Sequence, residues 1–194
     1  MRKFNVNRIV TGMLFMVLLF SNTLTAQKYN LVNGESSLVV LGTSSLHDWE
    51  VTAEKQTGLL VVTNAETGAL GQLSIEVIAE SLKSGKSAMD KNTYKALNTN
   101  NHKTILFKLS EVKEVKQNGT GKFKMKTSGD LTIAGVKKAI SLDLDLVLIG
   151  NKATLNGTKK LKMTDFKIDP PKALLGTITT GDDITIKFNT VLTK

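Results

Sequence analysis

LKMTDFKIDPPKALLGTITTGDDITIKF, residues Leu161 to Phe188, holds the only two prolines of the chain, Pro170 and Pro171, between two segments that alternate as strands do. Adjacent prolines fix φ twice and remove two donors, so no sheet ladder continues through them. Met163, Phe166, Ile168, Leu174 and Leu175 are nevertheless too apolar for a solvated loop. A stiff, apolar crossing between two strands predicts a segment that covers the end of a barrel.

Outward from this stretch, period-two alternation dominates, the mark of half-buried strands. Leu142, Leu144, Leu146 and Leu148 face one way, and Ser141, Asp143 and Asp145 the other. Ile105, Phe107 and Leu109 repeat the pattern, as do Leu73, Ile75 and Val77, and finally Ile184, Ile186 and Phe188. Further strands are expected near 29–33, 36–43, 48–54, 57–63, 121–134 and 152–163. Asn33-Gly34, Asn118-Gly119, Gly150-Asn151 and Asn156-Gly157 supply turn signals. Lys86 to Asn98 breaks the rhythm: Ala88, Met89, Tyr94 and Leu97 fall at helical spacings, which predicts one short amphipathic helix. About eight or nine antiparallel strands and one helix make an all-β domain. Either a barrel or a sandwich satisfies the alternation, and a barrel also removes the exposed edges.

The first 26 residues read as an export signal. Arg2, Lys3 and Arg8 precede the apolar run Ile9 to Phe20, and a small residue, Ala26, marks a cleavage site before Gln27. The run is shorter than the roughly 20 residues of a spanning helix, although an uncleaved anchor is the alternative. Cleavage leaves residues 27–194 as one domain in the periplasm or outside the cell. Without the three leader cations, 23 lysines stand against 17 acidic residues, a net charge of +6. The cations are scattered and none is arginine, which argues against nucleic acid and leaves room for transient contact with an anionic membrane surface. The absence of cysteine excludes disulfides, thiolate nucleophiles and Cys-based metal or iron–sulfur sites.

Thr43-Ser44-Ser45-Leu46-His47-Asp48-Trp49 holds one of two histidines and the only tryptophan. Adjacent residues on a strand point to opposite faces, so Asp48 is badly placed to orient His47 as a catalytic base, and no Gly-x-Ser-x-Gly elbow is present. The simpler readings are a turn with Trp49 as a core anchor, or His47 as a polar contact for a ligand. Gly85-Lys86-Ser87 lacks the upstream glycine of a phosphate loop, Glu80 standing there instead. His47 and His102 are far apart without metal-ligand spacing, so no metal site and no cofactor is expected.

Five blocks resemble the YceI-like family: SSLHDW at 44–49, SLKSGKSAMDKNTYKALN at 81–98, HKTILFKL at 102–109, GDLTIAGVKK at 129–138, and the Pro-Pro segment. They span most of the domain in family order, with Lys103 where the family usually has proline. The resemblance implies a lipocalin-like antiparallel β-barrel with a helix near one end. It also implies a non-enzymatic protein holding a polyisoprenoid, quinone-like or acyl lipid. On that reading Trp49, Phe107, Phe123, Met125, Leu131, Ile133, Met163 and Phe166 lie near the ligand, with His47 and Asp165 as polar groups at the mouth. A one-residue slip of register would reverse these faces. An enzyme acting on an apolar substrate through His47 is the alternative, and a fully packed stress-response or interaction domain is another. The oligomeric state is left open, a homodimer included.

Overall fold

The computed structural model describes residues 26–173 and 176–194. The expected leader lies outside the described residues, as do Leu174 and Leu175. The described residues form twelve strand segments: β1 (Gln27–Leu31), β2 (Ser37–Ser44), β3 (Trp49–Ala53), β4 (Gln56–Asn64), β5 (Ala69–Ile78), β6 (Leu82–Lys83), β7 (Thr104–Gln117), β8 (Lys122–Ile133), β9 (Val136–Ile149), β10 (Lys152–Lys162), β11 (Lys172–Ala173) and β12 (Ile178–Thr193). The helix α1 (Ser87–Leu97) joins β6 to β7, and 3-10 turns occupy Asn33–Glu35, Ala79–Ser81 and Thr164–Phe166.

Apart from β11, which pairs with β12 off the main path, the segments resolve into eight staves. β1 and β2 are two halves of one stave bent at the Asn33–Glu35 turn, since β1 pairs with β4 and β2 with β3 while both pair with β12. In the same way β3 continues into β4, and β5 into β6. Each stave pairs antiparallel with the next in sequence, and β12 returns to β1 through Asn30↔Thr193 and Leu31↔Leu192. The result is a closed, up-and-down, eight-stranded barrel, the architecture whose closure leaves no free edge.

Alternation dictates the two surfaces. Leu142, Leu144 and Leu146 are buried inside, while Asp143 and Asp145 stand opposite Lys126 and Lys124 of β8 on the outside. Opposite charges directly across a strand pair are favourable. Glu114 of β7 adds to this skin, holding Lys126 at 2.8 Å and Lys116 at 2.9 Å. The two lysines hold its carboxyl down at about 2. The hairpin from β8 to β9 turns on Ala134 and Gly135, both with positive φ, as a two-residue primed turn requires. His102 packs onto Gly135 so closely that a Cβ there would meet the ring at 2.4 Å.

The interior divides at the bend of the staves. Beyond it, on the β1 and β4 side, Tyr29, Leu60, Val62, Phe123, Met125, Leu146, Ala153 and Leu192 fill the barrel as a packed floor. On the other side the barrel is hollow. No helix among the described residues is long and apolar enough to cross a membrane.

Candidate functional site: a blind apolar cavity under a helix

The hollow half encloses a cavity of about 440 Å³, within the range of ligand sites. Its wall is almost wholly apolar: Leu38 and Val40 of β2, Leu73, Ile75 and Val77 of β5, Ile105 and Phe107 of β7, and matching side chains around the ring. Leu144, Leu155 and Thr190 also line it, at the level where the packed floor begins.

The cavity stays open because three of its rings lie against glycines of the inner wall. A Cβ at Gly42 would stand 2.1 Å from Trp49, one at Gly129 2.6 Å from Phe107, and one at Gly157 2.4 Å from Phe188. Each ring takes the room a side chain would have needed, rather than projecting into the lumen. Trp49, directly opposite Gly42 in the β2–β3 pairing, is held further by its indole N–H, which donates to the Thr43 carbonyl at 2.9 Å.

Helix α1 closes the mouth. Ala88, Met89, Asn92, Thr93, Ala96 and Leu97 form the face it turns to the cavity, at the three- and four-residue spacings of one helical stripe. Buried Asp90 tethers the helix, accepting from the Ser84 backbone N–H at 2.8 Å and the Ser84 hydroxyl at 2.6 Å. The Tyr94 hydroxyl donates to the Glu80 carbonyl at 2.8 Å, and Thr99 donates to the Glu80 carboxylate at 2.9 Å.

The Pro-Pro segment seals a side opening. Pairing between β9 and β10 stops at Leu144↔Gly157, although β9 runs on beside β8 and β10 beside β12. Met163, Phe166 and Ile168 are buried and line the cavity with Pro171, filling the parting. Asp182 of β12 anchors them: it accepts from the Thr164 backbone N–H at 2.9 Å and from the Thr164 hydroxyl at 2.7 Å.

Both closing elements therefore hang on a carboxylate. The Ser84 donors hold Asp90, and the Thr164 donors hold Asp182, below the usual carboxyl value of 3.8. A depressed folded-state pKa stabilises the closed form above the ordinary value, and that contribution is lost as pH falls through the depressed one. Ligand release should accelerate below pH 3.8 while remaining flat from there to neutrality. Asp182→Asn should reproduce part of the acceleration at neutral pH, read by stopped-flow dye release.

The rim carries His47 and Leu46, the latter 66% exposed. His47 Nδ1 lies 2.7 Å from the Asp48 carbonyl oxygen, which can only accept, so Nδ1 carries the hydrogen and Nε2 of the neutral ring is left as an acceptor. The Ser44 hydroxyl donates to the His47 carbonyl at 2.7 Å and accepts from the His47 backbone N–H at 3.2 Å. That hydroxyl is committed to the turn. A polar crevice lined by Asp48, Glu50 and Ser84 adjoins the cavity here, sharing His47, Trp49, Lys86 and Met89 with it. Among the described residues no three His, Cys, Asp or Glu side chains gather as a metal site would need.

Of the residues singled out from sequence, Trp49, Phe107, Leu131, Ile133, Met163, Phe166 and His47 line the cavity. Three do not. Phe123 and Met125 face inward as expected but belong to the packed floor, because they lie on the half of β8 beyond the bend; Phe123 fills the space beside Gly68. Asp165 is exposed, because the 3-10 turn directs Met163, Phe166 and Ile168 inward and its own side chain out. Sequence reading also missed Asp182. Its tie to Thr164 spans 18 positions and leaves no local pattern.

A family model, the YceI-like domain, matches residues 29–192. No curated protein matches the chain. Among solved structures, BcnA of Burkholderia cenocepacia is similar at 15% identity over 83% of this chain and 98% of that one, with a TM-score of 0.66. A polyisoprenoid binding domain from Saccharophagus degradans, implicated in plant cell wall breakdown, is similar at 13% identity, covering 85% and 97%, with a TM-score of 0.68. The Campylobacter jejuni YCEI protein is similar at 17% identity, covering 73% and 82%, with a TM-score of 0.61. With the match running from β1 to the end of β12, the chain belongs to the family of YceI-like domains.

Proposed function

We propose that the protein is an exported, non-catalytic carrier that holds one long-chain amphiphile, an isoprenoid, quinone-like or acyl lipid, in the barrel. The observation that carries this reading is the blind apolar cavity between a packed floor and a tethered helix. Each 100 Å² of chain buried there contributes about 2.5 kcal/mol, so the wall can hold a lipid without a salt bridge. The cavity of about 440 Å³ takes one segment of such a chain, and a longer chain leaves by the mouth. The polyisoprenoid binding named for the similar Saccharophagus degradans domain supports the same class of cargo. The apolar leader at 9–20 supports export.

Within this reading Trp49, Phe107, Leu131, Ile133, Met163 and Phe166 contact the chain, and His47 meets only the solvated rim. A hydrogen bond there replaces one to water, so its net contribution is at the low end of the usual range. His47→Ala should weaken binding at most about threefold and leave the melting temperature unchanged. A loss beyond tenfold, or turnover of a bound ester abolished by the substitution, would favour the catalytic reading.

The test is native mass spectrometry of the purified protein followed by organic extraction. One lipid per chain is the expected result. Displacement of N-phenyl-1-naphthylamine by prenols and fatty alcohols gives the affinity, and Trp49, the sole tryptophan, reports occupancy of the mouth by its emission. Failure of every such compound to displace the dye would sink the carrier reading.

A further inference from the structure

Three lysines line the cavity, Lys86, Lys159 and Lys172. Lys86 precedes α1 and Lys172 opens β11, and both are exposed. Lys159 is different. It is half-buried on the inward side of β10, directly opposite Ile186 of β12, which lines the same cavity. Its neighbours on that face are Gly157 and buried Leu161, so the alternation of β10 puts a cation where an apolar side chain is expected.

The place of Lys159 along β10 explains how a charge is accommodated there. The last pair between β9 and β10 is Leu144↔Gly157, and Lys159 is the next inward residue. Its stem lies where the two strands part, and the ammonium donates to Ser141 Oγ of β9 at 3.3 Å. Ser141 is exposed, on the outward side of β9 with Asp143 and Asp145, so the lysine runs from the cavity to the surface. A lysine covers apolar surface with its methylenes in this way while its charge stays near water. An ammonium has three donors, and here the bond to Ser141 is long and its acceptor neutral. Lys159 enters no ion pair among the described residues. The acidic groups of the flanking strands are engaged elsewhere. Asp143 and Asp145 stand across from Lys126 and Lys124, Asp182 accepts from Thr164, and Asp183 pairs with Lys162.

We propose that Lys159 receives the anionic end of the bound amphiphile, a carboxylate or a phosphate, in the parting of β9 and β10, with the chain in the cavity. This deepens the carrier reading and rests on it. The other two lysines are poorer receivers. Lys86 shares the rim crevice with Asp48 and Glu50, which repel an anion, and exposed Lys172 attracts one only through water and salt. At Lys159 one side of the ammonium is an apolar wall, where the lower dielectric strengthens the attraction. The packed floor supplies no cation to offset the desolvation of a charged end.

The experiment measures displacement of N-phenyl-1-naphthylamine at neutral pH by laurate and dodecanol, and by farnesyl phosphate and farnesol. The proteins are the wild type, Lys159→Met, Lys86→Met and Lys172→Met. Within each pair of compounds, the ratio of dissociation constants cancels the contribution of the chain. In the wild type the anion should bind at least as tightly as its alcohol. In Lys159→Met, which keeps an apolar stem, the ratio should move about tenfold toward the alcohol, the equivalent of one charged hydrogen bond. A shift for laurate alone assigns the site to carboxylates, one for farnesyl phosphate alone to phosphates, and each supports the inference. An unchanged ratio for both pairs overturns it. So does a larger shift in Lys86→Met or Lys172→Met, which would put the anion at the mouth. Should Lys159→Met fail to fold, Lys159→Gln replaces it, removing the charge while keeping a donor for Ser141. Displacement by none of the four compounds from the wild type would overturn the carrier reading and this inference with it, a result distinct from binding without preference for the anion.

Discussion

Gly42→Val should expel Trp49 from the rim, shift its emission to the red, and weaken lipid binding more than tenfold. A Cβ at residue 42 would stand 2.1 Å from Cζ2 of the ring and 2.5 Å from Cε2, so the indole must leave the wall. Its hydrogen bond to the Thr43 carbonyl goes with it. Overpacking a well-filled site costs about 1–3 kcal/mol, and here the lost indole bond adds to that. The displaced ring either enters the lumen, where it competes with the chain, or turns into solvent, where the mouth loses its largest apolar contact. Both outcomes lower affinity. An unshifted emission maximum with wild-type affinity would show that the ring does not depend on Gly42.

Ile186→Trp is expected to abolish binding while keeping or raising the melting temperature. Ile186 lines the cavity on β12, opposite Lys159 of β10 and Val40 of β2. The added indole atoms fill space that is otherwise empty, and covering apolar surface contributes roughly 25 cal/mol per Å². In a packed core the same change would destabilise by overpacking, so the sign of the stability change separates a hollow barrel from a filled one. Dye displacement reads the binding half and differential scanning calorimetry the other. A lower melting temperature with binding retained would place the ligand elsewhere.

Much of this architecture is legible in the sequence. The helix expected over Lys86 to Asn98 is observed over Ser87–Leu97, and the alternating runs became staves with the leucines of β9 inward as expected. The Pro-Pro segment, expected to cover a barrel end, instead seals the parting of β9 and β10 beside the mouth with the same Met163, Phe166 and Ile168. Burial leaves a local trace because a side chain's face follows from its period along the chain. Position along the barrel axis leaves none, which is why Phe123 and Met125 look the same in sequence as Leu131 and Ile133 yet lie in the floor.

An all-β domain with a helix, the inward side of each strand and, through the motif blocks, the family are all readable along the chain. Periods of two and 3.6 residues are local properties, and they survive without knowledge of neighbours. It takes the assembled barrel to show that one half is filled and the other hollow, that Trp49, Phe107 and Phe188 lie on glycines of other strands, and that the Gln56 side-chain amide has no partner. Each of these depends on which residues from distant parts of the chain share one level of the barrel. That is set by stagger and closure, which no single strand encodes.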